Sequence, residues 1–144
     1  MNKLFALLYF LLSINCSMFA GRDKAIKVEQ LPQNAQDIIE RYFSGTGVSF
    51  AKTDNEIFDR NYEVFFVNGH KIEFDRKGNW IEINCKYGEV PEGIIPPKIR
   101  EFLVKNHKEQ KVIKISKEND YEVKLDNGIE IKFSLKFNFK GYDD

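Results

Sequence analysis

The chain has 144 residues, which is enough for one ordinary domain or for two small units that share a core. Its 22 basic and 22 acidic side chains balance, and no basic block stands out, so the composition excludes the electrostatic footprint of a nucleic-acid-binding protein. The 13 phenylalanines and the 42% hydrophobic content exceed what a disordered chain carries, so we expect most of the chain to fold.

The beginning of the chain is typical of a secretory signal peptide over residues 1–20. Lys3 precedes an apolar run at residues 4–12, and small or polar residues follow up to Ala20. We predict cleavage after Ala20, which makes the mature protein periplasmic or extracellular. The alternative is a lipid anchor at Cys16, but residues 13–15 differ from the triplet that precedes a lipoprotein cysteine, so cleavage is preferred. No segment is long and apolar enough to predict a transmembrane helix.

The next segments predict an arm, a helix and a strand. Residues 21–30 are polar and without a period, so we predict a flexible N-terminal arm. Residues 33–43 place apolar side chains at helical spacing with charged residues on the other side, which predicts an amphipathic helix of about three turns. A strand at residues 48–53 and a polar turn at residues 54–56 follow, and an Asn-Gly hairpin comes next.

A repeat organises the rest of the chain. Residues 62–80 recur 59 residues later as residues 121–139, with nine of nineteen positions identical, which indicates a tandem repeat. A proline-preceded helix and a strand precede the second hairpin as they do the first. The sequence therefore predicts an α+β fold of two tandem units, each with one helix packed on a four-stranded antiparallel sheet. The predicted boundaries are residues 31–86 for the first unit, 87–95 for a linker and 96–144 for the second unit.

The apolar pattern selects the register of each hairpin. A three-residue loop with Gly69 in the left-handed conformation pairs Val64 with Ile72 and Tyr62 with Phe74, which collects the apolar side chains on one face. The second copy selects the same register independently. At the end of the chain, a tight turn at residues 134–136 is favoured over one long strand. Whether the two sheets join into one is left open.

The register also predicts a surface away from the core. It aligns Glu63, Glu73 and Glu82 in one row, where like charges repel, and continued alternation adds Phe65 and Trp80 to that face. Exposed rings beside uncompensated acid are typical of a partner-binding surface, because binding would bury the rings and relieve the charge. The alternative is that lysines or solvent screen the row and the rings pack under a neighbouring loop. The candidate partner-binding residues are Phe65, Trp80, Glu63, Glu73, Glu82 and Lys71.

The sequence gives no pattern for catalysis, a cofactor or a metal. His70 and His107 are the two histidines, and neither has a second ligand at metal-binding spacing. The row of glutamates on a flat sheet cannot wrap around a calcium ion. Cys85, the single cysteine after Ala20, occupies an inward strand position, where we expect a small buried side chain rather than a reactive thiolate. We therefore predict no catalytic residues, no cofactor and no metal site.

The recurring pattern resembles a known family. Leu-Pro or Val-Pro, an amphipathic helix, Tyr-Glu-Val, Asn-Gly, Ile-x-Phe and Lys-Gly-Asn-Trp are similar to the PepSY-like family, also described as beta-lactamase-inhibitor-like secreted proteins, over about residues 31–139. The resemblance implies a secreted protein with one or more units of a helix on a four-stranded sheet, and it implies no catalytic residues. Beta-lactamase inhibitor proteins of similar fold grip an enzyme with aromatic residues on an exposed sheet, which points to the same face.

These observations lead to two functional hypotheses. The first is a secreted, non-catalytic binding module that inhibits or modulates a protein partner in the bacterial envelope through the outer face of the sheet. The alternative is a small-ligand or cell-wall-fragment sensor that uses the groove between the two units. An enzyme would require His70 and the glutamates to share a cleft, and we do not predict one.

Overall fold

The computed structural model describes residues 23–54 and 59–143. The predicted signal peptide, the alternative lipid-anchor position Cys16 and part of the turn predicted at residues 54–56 lie outside the described residues. Within those two ranges the chain forms two α-helices and nine strands. They are α1 (Gln33–Phe43), α2 (Pro97–Asn106), β1 (Asp23–Ile26), β2 (Val48–Asp54), β3 (Tyr62–Phe66), β4 (Lys71–Phe74), β5 (Trp80–Asn84), β6 (Val112–Lys117), β7 (Tyr121–Leu125), β8 (Glu130–Phe133) and β9 (Phe139–Asp143).

The described strands form one antiparallel sheet whose spatial order follows the chain, from β1 at one edge to β9 at the other. The prediction of two tandem units, each with a helix on its own four-stranded sheet, is therefore wrong. The two halves join because β5 pairs directly with β6, where Ile83 lies opposite Ile115. This pairing satisfies backbone groups that two separate sheets would leave unpaired at their edges.

A single row of apolar side chains crosses the whole sheet. Burial of this row stabilises the sheet as one continuous unit. From β2 to β8 the members of this row are no more than 2% exposed. In order across the sheet the row consists of Ile26, Ala51, Val64, Ile72, Ile83, Ile115, Val123, Ile131 and Tyr142. Both helices contribute buried residues to the same cluster, so they cover one face, the inner face. No helix in the described part of the chain covers the opposite face.

The predicted hairpin registers are confirmed in both copies. Val64 lies opposite Ile72 in the first hairpin, and Val123 lies opposite Ile131 in the second. Each three-residue loop ends on a glycine in the left-handed region, with φ of 88° at Gly69 and 89° at Gly128. The structure thus repeats the same turn chemistry where the sequence repeats Asn-Gly.

The tight turn near the C-terminus is also confirmed. The amide of Phe137 donates to the carbonyl of Ser134 at 2.8 Å, and Phe137 adopts a φ of 67° where the first copy has Gly78. A phenylalanine is unusual in this left-handed conformation. Its ring packs against Tyr121 at 5.3 Å between centroids, a contact that offsets part of the backbone strain.

Most of residues 23–30, within the segment predicted as a flexible N-terminal arm, forms regular secondary structure instead. Asp23–Ile26 forms the edge strand β1 paired with β2, and Val28–Gln30 forms a short 3-10 turn before α1. The Nζ of Lys52 reaches the carboxylate of Asp23 at 2.7 Å across this edge. The pairing is long-range, so the polar local sequence contains no sign of it. Neither described helix is long and apolar enough to cross a membrane.

Candidate functional site

The uncovered face of the sheet, which we call the outer face, carries two neighbouring rows of polar side chains. One row is mainly acidic and consists of Lys52, Glu63, Glu73, Glu82, Ser116, Glu122 and Lys132. The other is mainly basic apart from its aromatic end and consists of Phe50, Phe65, Lys71, Asn84, Lys114, Lys124 and Glu130. Five of the six predicted partner-binding residues lie on this face, and Trp80 does not.

Most of the acidic row is compensated, contrary to the expectation of an uncompensated row. Glu63 binds Lys52 at 2.8 Å and Lys71 at 2.7 Å, and Glu82 binds Lys114 at 3.3 Å. Burial opposes ionisation of Glu63, but the hydrogen bonds from Lys52 and Lys71 outweigh it and lower the pKa of that carboxyl. The outer face therefore carries ion pairs between neighbouring strands, some directly opposite and some diagonal, rather than charges of one sign.

Glu73 is the exception in the centre of the acidic row. It lies between Glu63 and Glu82, and no lysine or arginine nitrogen of the described residues is within 4 Å of its carboxylate. Partial burial raises the pKa of Glu73, and the neighbouring Glu63 and Glu82 add to that rise while Lys71 opposes it. This carboxylate would gain most from a positive charge supplied by a partner.

An aromatic pair lies at one end of the outer face. The rings of Phe50 and Phe65 stack with centroids 4.4 Å apart and planes 14° apart, and Phe50 is 49% exposed. The Nζ atoms of Lys52 and Lys71 lie 5.9 and 5.6 Å from the centre of the Phe65 ring, within the range of cation–π attraction. Sequence reasoning missed Phe50, although strict alternation from the inward Ala51 places it outward.

Trp80 lies on the inner face instead of the outer face. A bulge in β5 pairs Phe74 with Trp80 and Glu73 with Glu82, so Ile81 is the additional residue. The bulge carries the indole to the side of the completely buried Phe74. The prediction assumed that side chains alternate between the two faces without a break through the turn. The one extra residue in the bulge moved Trp80 from the predicted outer face to the inner face.

Trp80 instead lines a groove of about 720 Å³ between α1 and the segment that leads into α2. The indole packs against Tyr121 with ring centroids 6.3 Å apart. Asp37 and Arg41 of α1 line one side of the groove, and Lys117 and Glu118 at the end of β6 line it as well. This hollow on the helix side of the sheet was predicted only in outline, as a groove between two units, and these charged residues were not predicted.

The cysteine and the two histidines of the described residues, which are the usual candidates for catalysis or metal binding, are buried or make contacts within the fold. Burial raises the pKa of the Cys85 thiol to about 11, which keeps it protonated at neutral pH. Burial lowers the pKa of His70, whose Nδ1 lies 3.2 Å from the side-chain Nδ2 of Asn68. The Nε2 of His107 lies 2.9 Å from the hydroxyl of Tyr142. Among residues 23–54 and 59–143, no three His, Cys, Asp or Glu side chains form a group that could hold a metal ion.

The fold and its two surfaces define a class of small proteins in which two helices cover one face of an extended antiparallel sheet and leave the other face open. A family model described as "Putative beta-lactamase-inhibitor-like, PepSY-like" matches residues 60–141. The chain belongs to this PepSY-like family, which confirms the resemblance noted in the sequence. No protein with a curated description matches the chain.

Several solved structures have the same fold. A "putative periplasmic protein from DUF2874 family" of Bacteroides vulgatus is 46% identical, with a TM-score of 0.82 over 87% of this chain and 99% of that one. A "putative calcium-regulated periplasmic protein" of Bacteroides thetaiotaomicron is 47% identical, with a TM-score of 0.81 over 85% and 97%. A second Bacteroides vulgatus protein, described as a "putative periplasmic protein of unknown function", is 34% identical, with a TM-score of 0.79 over 85% and 99%.

The three solved relatives share one cellular location. All three solved relatives are described as periplasmic, and this chain aligns with nearly the whole length of each of them. The protein is periplasmic, which confirms the predicted location.

Proposed function

We propose that this protein is a non-catalytic binding module that docks its outer face against a protein partner in the bacterial envelope. The observation that carries the proposal is the stacked Phe50–Phe65 pair, which is left partly exposed on a face that is otherwise polar. Exposed aromatic clusters ringed by polar residues are a feature of protein interaction sites. An open sheet suits the extended surface of a protein better than it suits a small molecule.

The charges around the pair support a protein partner with a basic group. The ion pairs of the outer face leave Glu73 as a partly buried glutamate of that face without a salt bridge to any described residue, on β4 beside the strand that carries Phe65. A partner lysine or arginine placed over Glu73 would relieve this charge while the partner's apolar surface covers the two rings. The beta-lactamase-inhibitor-like character of the family supports inhibition or modulation of an enzyme as the consequence of docking.

The proposal is tested by capturing partners from the native envelope with the purified protein. The double variant Phe50→Ala with Phe65→Ala should lose capture by about 30-fold or more, because central aromatic residues contribute about 2 kcal/mol or more to an interface. The matched control is Tyr142→Ala, which removes an aromatic side chain from the other face. Tyr142 is 52% exposed and Phe50 is 49% exposed. The control should capture the partner as the wild type does.

The test separates docking from folding and from inhibition. Urea unfolding of each variant shows whether the fold survives the substitution. If the captured partner is an enzyme, its activity is measured with the wild type and with the double variant, and only the wild type should change it. Equal capture by wild type and double variant, or loss of capture in Tyr142→Ala alone, would remove the outer face as the docking surface.

A second candidate function is supported by the groove beside Trp80. The groove has a volume of about 720 Å³, within the range of roughly 300–1,000 Å³ that small-ligand sites occupy. We propose it as the site of a small ligand or cell-wall fragment, so that the protein acts as a sensor. Binding of such a ligand in the absence of any protein partner would favour this function over the first.

One relative is described as calcium-regulated, and we do not carry that property over to this chain. A calcium site needs about six to eight oxygen ligands wrapped around the ion. The described residues contain no group of three or more acidic, histidine or cysteine side chains arranged to hold a metal. On the outer face, Glu63 and Glu82 are bound to lysines, and Glu73 lies between them.

A further inference from the structure

The groove beside Trp80 has an aromatic platform backed by a second ring. Trp80 is partly buried at the start of β5, and Tyr121 behind it is only 6% exposed. The two ring planes are tilted by 59°, and both rings line the groove. A large aromatic surface that lines an open hollow offers a stacking face to a ligand.

The lining of the groove carries charges of both signs. Asp37 and Arg41 come from one turn of α1, and Lys117 and Glu118 come from the end of β6. Asp37 also accepts a hydrogen bond from the Nε2 of Gln33 at 2.8 Å. Each of these two elements therefore brings one cationic donor and one carboxylate acceptor to the groove.

The base of the groove is held in place by a tight turn. The carboxylate of Asp75 accepts hydrogen bonds from the backbone amides of Lys77 at 2.8 Å and Asn79 at 2.9 Å. These bonds within the turn stabilise its negative charge. Gly78 packs so closely against the start of α1 that an added Cβ would lie 2.7 Å from the Cβ of Pro32. Asn79 and Trp80 are thus positioned before any ligand arrives, which lowers the entropy cost of binding.

The mixed charge selects against ligands of a single sign. A polyanion would meet Asp37 and Glu118, and a polycation would meet Arg41 and Lys117. A neutral, hydroxyl-rich ligand avoids both conflicts, because each hydroxyl donates to a carboxylate and accepts from a cation. The apolar C–H face of a sugar ring also fits the face of an indole.

We infer that the groove binds a neutral oligosaccharide, with the sugar ring on Trp80 and its hydroxyls on the charged side chains of α1 and β6. The inference rests on the second candidate function, the ligand groove, and names the ligand class of that site. It is independent of the Phe50–Phe65 pair and of any protein partner.

The chain provides its own reporter for the test, because Trp80 is its single tryptophan. Titration of the protein with the N-acetylglucosamine tetramer should give a saturable change in Trp80 emission. Calorimetry with Trp80→Ala should show affinity reduced about tenfold or more, and Glu118→Gln, an exposed change that spares the core, should reduce it about threefold or more. Phe65→Ala on the outer face should bind the tetramer as the wild type does.

Three further ligands make each outcome decisive. Tetramers of galacturonate and of glucosamine, which are anionic and cationic, should bind at least about tenfold more weakly than the neutral tetramer. If stem peptides from digested cell wall change the Trp80 emission and the neutral tetramer does not, the saccharide class is wrong while the ligand groove stands. If none of these ligands changes the emission, the inference and the second candidate function both fail. If the tetramer binds Glu118→Gln as it binds the wild type but does not bind Phe65→Ala, the saccharide site does not lie in the groove beside Trp80.

Discussion

Replacing Ile115 with alanine should destabilise the whole molecule, because its side chain lies where the two halves of the sheet meet. Ile115 on β6 faces Ile83 on β5 and is completely buried. The change removes about three carbon atoms, which at about 0.8 kcal/mol per methylene amounts to about 2.4 kcal/mol of transfer free energy. The cavity left behind adds to this loss, so Ile115→Ala should lower the free energy of unfolding by about 3 kcal/mol.

Urea unfolding followed by two probes measures this effect. The emission of Trp80 reports on β5, whereas far-UV circular dichroism reports on all the strands. Because one buried cluster spans the sheet, both probes should give a single transition and should move to lower urea together. The matched control is Val104→Ala on α2, 60% exposed, which should change the free energy of unfolding by no more than about 0.5 kcal/mol.

The result that refutes the reasoning is a loss of cooperativity between the halves. Two separate transitions in the wild type would contradict a sheet that folds as one unit through the β5–β6 pairing. A shift in the circular dichroism transition of Ile115→Ala that leaves the Trp80 transition unmoved would contradict it as well.

Three further predictions concern glycine geometry and ionisation. Gly78→Ala should cost more than about 2 kcal/mol, because it combines a φ of 83° with a Cβ contact of 2.7 Å, whereas Gly128→Ala, at a φ of 89° with open space, should cost about 1 kcal/mol in urea unfolding. Glu73→Gln should raise stability at pH 7, since the raised pKa of Glu73 means that its charged form is disfavoured in the fold, and the advantage should vanish as pH falls below 4.5. Native Cys85 should resist thiol reagents at pH 8, and the wild type should lose stability relative to Cys85→Ala as pH rises from 9 toward 11.

The hairpins could be predicted from the sequence because their register depends on local pattern. A slip of one residue would move charged side chains such as Lys124 and Glu130 to the buried face, so only one loop length is compatible with the apolar alternation. The Asn-Gly pairs fix where each chain reversal occurs. The same reasoning located the turn that ends on Phe137, although that residue replaces a glycine.

The single sheet could not be predicted because the pairing that creates it is long-range. The alternation of residues 111–117 predicts a strand but does not name its partner, and Ile83 could equally have remained at an edge. The strand β1 was missed for the same reason, since its polar sequence becomes ordered only through pairing with β2. Local pattern indicates elements, whereas the order of strands depends on contacts between distant segments.

The candidate site could be predicted in part. Glu63, Glu73 and Lys71 were placed on the outer face by counting from the hairpin loop, where no irregularity intervenes. Trp80 was misplaced because the bulge at Ile81 adds one residue to β5, and a bulge has no consistent signature in a single sequence. The same error hid the aromatic lining of the groove.

Site-specific photo-crosslinking in the native periplasm tests the proposed docking surface most directly. Phe50→p-benzoylphenylalanine places a crosslinker on the outer face, and Tyr142→p-benzoylphenylalanine places one at similar exposure on the other face. If the outer face binds a protein partner, position 50 should give a discrete crosslinked product and position 142 should not. Crosslinking at position 142 alone, or at neither position while the protein is folded, would contradict the account.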